Sequence, residues 1–218
     1  MSRAFNFFIL AVIVCIIGCA PYARPPSQAR QTRYSAKVLY VRDAFAGSSL
    51  SGQSVLILPA LTAQGPSAAF PLSPRNQSMV IQKVRDDLRL IDGEEFEKKY
   101  LSTHDGRSLS FFYRSLFKGN VVEVQTSDSV WKAVDAAYLL AVRLKYAAAI
   151  RGFDGNTRRR LCLETELWDV KTAETVWRVE VKGFGGVKDA DDTFINGALG
   201  EAFSRLPGVL PAANEKDW

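Results

Sequence analysis

Glu164 and Glu166 are the residues whose type and spacing could do chemistry on a substrate. They stand two apart in a run where Leu161, Leu163, Thr165 and Leu167 hold the alternate positions. At about 3.4 Å per strand residue, both carboxylates leave one face roughly 7 Å apart. Two carboxyl groups at about that separation can hydrolyse a glycosidic bond. A plainer reading uses the same residues. Arg178 and Lys182 on a returning strand would pair across to the glutamates as a solvated charged ladder. That ladder is the expectation, and it makes neither glutamate catalytic.

The remaining candidates are thinner. His104 is the single histidine, so a metal site built on several His or Cys ligands is excluded, and a Ser-His-Asp triad would need this one residue. Asp105-Gly106 beside it favours a turn, which places His104 in a surface loop. Gly183-Phe184-Gly185-Gly186 lies between a strand and a helix, where phosphate loops occur, but it fits neither phosphate fingerprint. Asp189, Asp191 and Asp192 just after it would repel a phosphate, so the glycines read as a flexible connection. The aspartates also miss the calcium-loop pattern, because Phe194 takes its Gly position. No cofactor and no metal is expected. Arg158-Arg159-Arg160 is a dense basic run entering a strand, available for contact with a partner, lipid headgroups or acidic wall polymer.

Chemistry of another kind is written at Ile16-Ile17-Gly18-Cys19. An apolar run of eleven residues, Phe7 to Ile17, ends there, with Arg3 the leader's only charged side chain. The run has the length of a signal-peptide core. As a helix it spans roughly 16 Å, against about 30 Å of bilayer hydrocarbon, too short for a lasting anchor. The four residues resemble a bacterial lipobox. A thioether-linked diacylglycerol on the Cys19 thiol would hold the mature chain on a membrane. The alternative is an ordinary secretory peptide with an incidental cysteine. Ala20 stands where many lipoproteins retained in the inner membrane carry Asp, so the expected place is the outer membrane, facing the periplasm.

Composition bounds the rest. Nearly half of the 218 residues are hydrophobic, enough for a proper core. The net charge of +5 is mild and spread along the chain, and implies no nucleic acid. Of three cysteines, Cys15 leaves with the leader and Cys19 carries the lipid. Cys162 alone remains, so no intrachain disulfide forms, and it is expected to be buried.

The elements follow from periodicity. Residues 1–18 are the signal peptide, and 19–36 form a Pro/Arg-rich tether with Pro21, Pro25 and Pro26. An α/β domain spans 37–210, and 211–218 is a disordered tail. Lys37 to Arg42 is a first strand. Val55-Leu56-Ile57-Leu58, closed by Pro59, is a central strand buried on both faces. A helix begins about Arg75, with Val80, Val84, Leu88 and Ile91 on one face and Gly93 as its stop. Ser108 to Phe117 is a second helix, and Ser127 or Asp128 caps a short third one holding Trp131. Tyr138 to Tyr146 alternates as a half-buried strand, with a turn at Asp154-Gly155-Asn156. The next strand holds the glutamates, and Thr175 to Phe184 returns as a hairpin partner. Phe194, Ile195, Ala198, Leu199, Ala202, Phe203 and Leu206 stripe a last helix, about Asp191 to Leu206, closed by Pro207. The fold class is α/β: a mixed, largely antiparallel sheet packed against helices in one domain.

Three stretches are familiar together: Val55-Leu56-Ile57-Leu58-Pro59, Ala136-Ala137-Tyr138-Leu139-Leu140-Ala141-Val142, and Trp168 to Trp177 with Asp169, Thr172, Glu174 and Trp177 spaced as a turn. They resemble a group of bacterial envelope lipoproteins that includes the curli-secretion lipoprotein family and the lipoprotein activators of penicillin-binding proteins. The resemblance covers about residues 54–206. It departs from the group's turn at Ala173, where Gly is usual; a positive φ there would disfavour Ala by about 1 kcal/mol. The segment Gly93 to Asn120 has no counterpart. The resemblance implies a periplasmic α/β domain, held on a membrane through its N-terminal lipid, that binds envelope proteins as a cell-wall synthase regulator or a secretion component. It transfers no catalytic residue and no oligomeric state. Two other readings stay open: an auxiliary lipoprotein of a lipid-transport ABC system, similar in leader, size and layout, and a cell-wall hydrolase using the two glutamates.

Overall fold

The computed structural model describes residues 32–207, apart from 44, 46–49, 68, 70, 152, 154, 156 and 187–190. The signal peptide, Cys19, most of the tether, Asp189, Asp154, Asn156 and the tail lie outside the described residues.

Period-two alternation becomes three long antiparallel strands. β6 (Tyr138–Arg151), β7 (Thr157–Asp169) and β8 (Glu174–Gly186) form consecutive hairpins, and β1 (Arg33–Val41) adds to β8 as an antiparallel edge. On the other side, β2 (Ser54–Ile57) pairs parallel to β6, and β5 (Arg89–Asp92) pairs parallel to β2. The order is β1-β8-β7-β6-β2-β5, with β3 (Ala60–Thr62) and β4 (Gly65–Ser67) hung on β6 at Leu61 and Arg143. The sheet is mixed and largely antiparallel, as its patterning implies. Val55, Leu56 and Ile57 are buried between β5 and β6, as four apolar residues in a row predict.

β1 begins at Arg33, inside the stretch read as tether. Tyr34 makes the difference. Its hydroxyl donates to the Phe194 carbonyl at 2.9 Å, and its ring lies where a Cβ on Gly197 would sit. Glycine at 197 is what lets the strand approach α6 (Asp191–Ser204).

The helix expected to run from Arg75 to Gly93 is shorter. α1 (Pro74–Gln82) is capped by Ser73 and ends at Lys83, and Ile91 belongs to β5. Four residues of parallel strand carry no periodicity of their own; pairing along β2, from Ser54↔Arg89 to Ile57↔Asp92, makes them a strand. Gly93 opens the next helix rather than closing the last. A Cβ there would lie 2.2 Å from the Ile57 carbonyl oxygen, a clash that only glycine avoids. Asp92 caps that helix by accepting from the Glu94 N–H at 2.8 Å.

Two cores sandwich the sheet. On one face Leu140, Val142, Leu161, Leu163, Trp177 and Val179 pack with Val80 and Ile81 of α1 and with Phe194, Leu199 and Phe203 of α6. The α6 stripe is buried as its spacing predicts. On the other face Leu56, Leu58, Leu139, Ala141 and Trp168 meet Phe96 and Tyr100 of α2 (Gly93–Thr103), Phe112 and Leu116 of α3 (Gly106–Lys118), and Trp131 of α5 (Asp128–Ala133). α4 (Val121–Gln125) joins them, and Val124 accepts from the Trp131 indole N–H at 2.7 Å. This second core corrects the expected half-buried strand. The segment 93–133 folds over the face that alternation assigns to water.

Candidate functional site

Alternation puts Arg143, Glu164, Glu166 and Trp168 on the second face, and register brings them together. Arg143 stands opposite Glu164, and Glu166 stands opposite Arg178. Arg143 is 1% exposed and Glu166 1%, so the expected solvated ladder is a buried charge cluster instead. Arg143 Nη2 donates to Glu164 Oε1 at 2.5 Å and also to Glu166 Oε1. Arg178 Nε lies 2.6 Å from Glu166 Oε1, and Lys145 Nζ lies 3.1 Å from Glu164 Oε2. The Trp168 indole N–H donates to Glu166 Oε2 at 3.1 Å. Arg178 is thus the partner expected of it. Lys182 is not: it pairs with Glu180 at 2.9 Å on its own strand.

The cause of the burial lies in α3. Arg143 Nη1 donates to the Leu116 carbonyl at 2.8 Å, in the last turn of that helix, where the same oxygen also accepts the Gly119 N–H at 3.0 Å. The helix ends in a left-handed Gly119, φ +71°. A positive side chain at a helix C-terminus is electrostatically favoured. Two carboxylates, two guanidiniums, one ammonium and a helix end therefore compensate one another, with Arg143 and both glutamates buried, Arg178 half-buried and Lys145 at the exposed rim.

In this arrangement both glutamates are held by cations. Both carboxylate oxygens of Glu166 already accept from neighbours, Oε1 from Arg143 and Oε2 from Trp168. Burial pushes the Glu166 carboxyl above its ordinary range, against the downward pull of Arg143 and Arg178. Sequence reasoning missed Arg143. Its signal was a charged residue in register with Leu139 and Ala141, which only a covered face turns into a buried ion.

The weaker candidates are dispersed. His104 follows α2, stacks on Tyr100 with ring centroids 4.5 Å apart, and its Nδ1 lies 2.8 Å from Thr103 Oγ1. An open hollow of about 420 Å³ beside it is lined by Asp128, Ser129, Lys132 and Ala133. Gly183 to Gly186 belong to β8, not to a flexible connection. A Cβ on Gly183 would come within 3.1 Å of the Phe194 ring, so the glycine admits α6 onto the strand. Cys162 is buried, as expected, and burial raises its thiol. Among the described residues no three His, Cys, Asp or Glu side chains converge as metal ligands.

Arg158, Arg159 and Arg160 open β7 at the far end of the sheet. There β6 and β7 run past both helical layers, and residues 145–151 are all exposed. The Arg160 guanidinium sits 5.5 Å over the Phe184 ring, and Phe184, Tyr146 and Ile150 face solvent.

Solved bacterial proteins resemble this chain. The PelC dodecamer from Paraburkholderia phytofirmans is 13% identical, covering 80% of this chain and 97% of its own, with a TM-score of 0.42. Lipoprotein GNA1162 from Neisseria meningitidis is 12% identical, covering 70% of this chain and 93% of its own, with a TM-score of 0.45. The hypothetical protein CT253 from Chlamydia trachomatis is 12% identical, covering 72% and 91%, with a TM-score of 0.36. No family model matches the chain, and no curated protein matches it. Among the described residues no helix is long and apolar enough to cross a membrane.

Proposed function

We propose that this chain is a lipid-anchored component of the bacterial envelope that acts by binding other proteins rather than by catalysis. The observation that carries the reading is Cys19 itself, placed directly after an eleven-residue apolar leader and Gly18. The folded domain supports it by starting at Arg33, a short tether beyond that cysteine. A diacylglycerol on Cys19 and a further acyl chain on its amine make the anchor effectively permanent, since each buried CH₂ contributes about 0.8 kcal/mol. The outer membrane is the expected location, from Ala20. The role is that of a cell-wall synthase regulator or a secretion component, working at the reach of its tether.

The engagement of both glutamates by Arg143, Arg178, Lys145 and Trp168 favours this reading over a wall hydrolase. The test has two parts. Metabolic labelling with a palmitate analogue is expected to mark the wild-type chain and not Cys19→Ala, and sucrose-gradient fractionation is expected to place it with the outer membrane. Label retained in Cys19→Ala would overturn the anchor. Release of sugar fragments from peptidoglycan by the purified protein, abolished by Glu164→Gln, would overturn the binding role.

A further inference from the structure

The far end of the sheet is left over from both cores. Its rows read across the strands as Arg33, Phe184, Arg160 and Ala148, then Arg158 and Ile150, then Thr157 and Arg151. Arg33, Arg151 and Arg160 are exposed, and Phe153 between β6 and β7 is fully exposed. Tyr146, Ile150 and Phe184 add outward apolar surface. Among the described residues, the carboxylates of Glu180 and Glu164 further along these strands are already held by Lys182 and by Lys145 with Arg143. Cations interleaved with exposed aromatic and aliphatic side chains are the chemistry of an anionic lipid interface: the cations meet headgroups while the apolar groups enter the acyl boundary.

Chain direction selects the membrane over other acidic partners. β1 starts at Arg33, opposite Phe184, so the chain that leads back to Cys19 leaves the domain at this same end. Fourteen residues of tether, at about 3.1 Å each when extended, reach roughly 40 Å at most and allow far closer approach. We propose that the end of the sheet carrying Arg33, Arg151, Arg160, Ile150, Phe153 and Phe184 seats on the anionic surface of the membrane that holds Cys19. This rests on the lipid-anchor reading above. It adds an orientation: the domain stands on its β6–β7 end, with α2 to α5 and the β2–β5 edge turned away from the lipid toward partners.

The test uses the lipidated mature chain in nanodiscs, with an environment-sensitive fluorophore on Ile150→Cys; Cys162 is buried and Cys19 is acylated. The expected result is quenching by a lipid-borne quencher in discs containing phosphatidylglycerol. That quenching should fall at least about threefold in phosphatidylcholine discs or in high salt. Replacing Arg33, Arg151 and Arg160 with Glu should abolish it while the protein stays in the disc. Equal quenching in both lipids, or none in either with the protein retained, overturns the docking and leaves the anchor intact. Discs that fail to retain the protein overturn the anchor, and the docking with it. A signal evoked in neutral discs by soluble polyglutamate, and not by phosphatidylglycerol, overturns the lipid and assigns the surface to an acidic polymer.

Discussion

Arg143 reaches across 27 positions of chain to hold the Leu116 carbonyl, 2.8 Å from its Nη1. One guanidinium thereby joins the central sheet to the end of α3. The contact needs Gly119 twice: for its φ of +71°, and because a Cβ there would lie 2.9 Å from Arg143 Nη1.

Gly119→Ala is therefore expected to cost roughly 2–4 kcal/mol, from left-handed strain and a displaced buried hydrogen bond together. Denaturant unfolding measures it. Unchanged stability would show that Arg143 is not seated under α3.

Glu166→Leu should cost about 3–5 kcal/mol, because it takes from the buried Arg143 one of its two carboxylates and from the half-buried Arg178 its nearer one. Arg143→Met in the same chain is expected to recover much of that loss, and a double-mutant cycle reports the coupling. Additive losses would mean that the two residues do not interact.

Asp87 sets an acid limb. Arg85, nearly buried, clasps it at 2.6 and 2.8 Å and also donates to the Pro207 carbonyl, fastening the end of α6. The hydrogen bonds from Arg85 lower Asp87 from 3.8 to about 2. A depressed folded value means the contribution is full above pH 3.8 and is lost as pH falls toward 2. Thermal melts of Asp87→Asn should show a shallower loss of stability across that window. A slope identical to wild type would remove Asp87 as its source.

Ala173 occupies φ +52°, a left-handed conformation that glycine adopts without strain and an L side chain does not. Ala173→Gly should gain about 0.5 kcal/mol, relief of strain being partly offset by the methyl lost from the second core. A melting temperature lowered by this change would show that the methyl contact outweighs the strain.

The sequence by itself determined what depends on neighbours in the chain. The β6–β7–β8 hairpins follow from alternation, α6 from its apolar stripe, and the central place of β2 from Val55 to Leu58. Local pattern could not show which faces would be covered. Leu139, Ala141 and Arg143 take the positions that alternation gives to water, and the helices from Gly93 to Ala133 decide otherwise. β5 is a strand because β2 offers it hydrogen bonds, and Gly93 is glycine because the Ile57 carbonyl stands 2.2 Å from where a Cβ would be. The buried cluster is the same lesson in charge. Glu164 and Glu166 are legible as a pair, but burial is a property of what packs above them. Only the tertiary fold placed α3 there, and with it turned a surface ladder into an internal one.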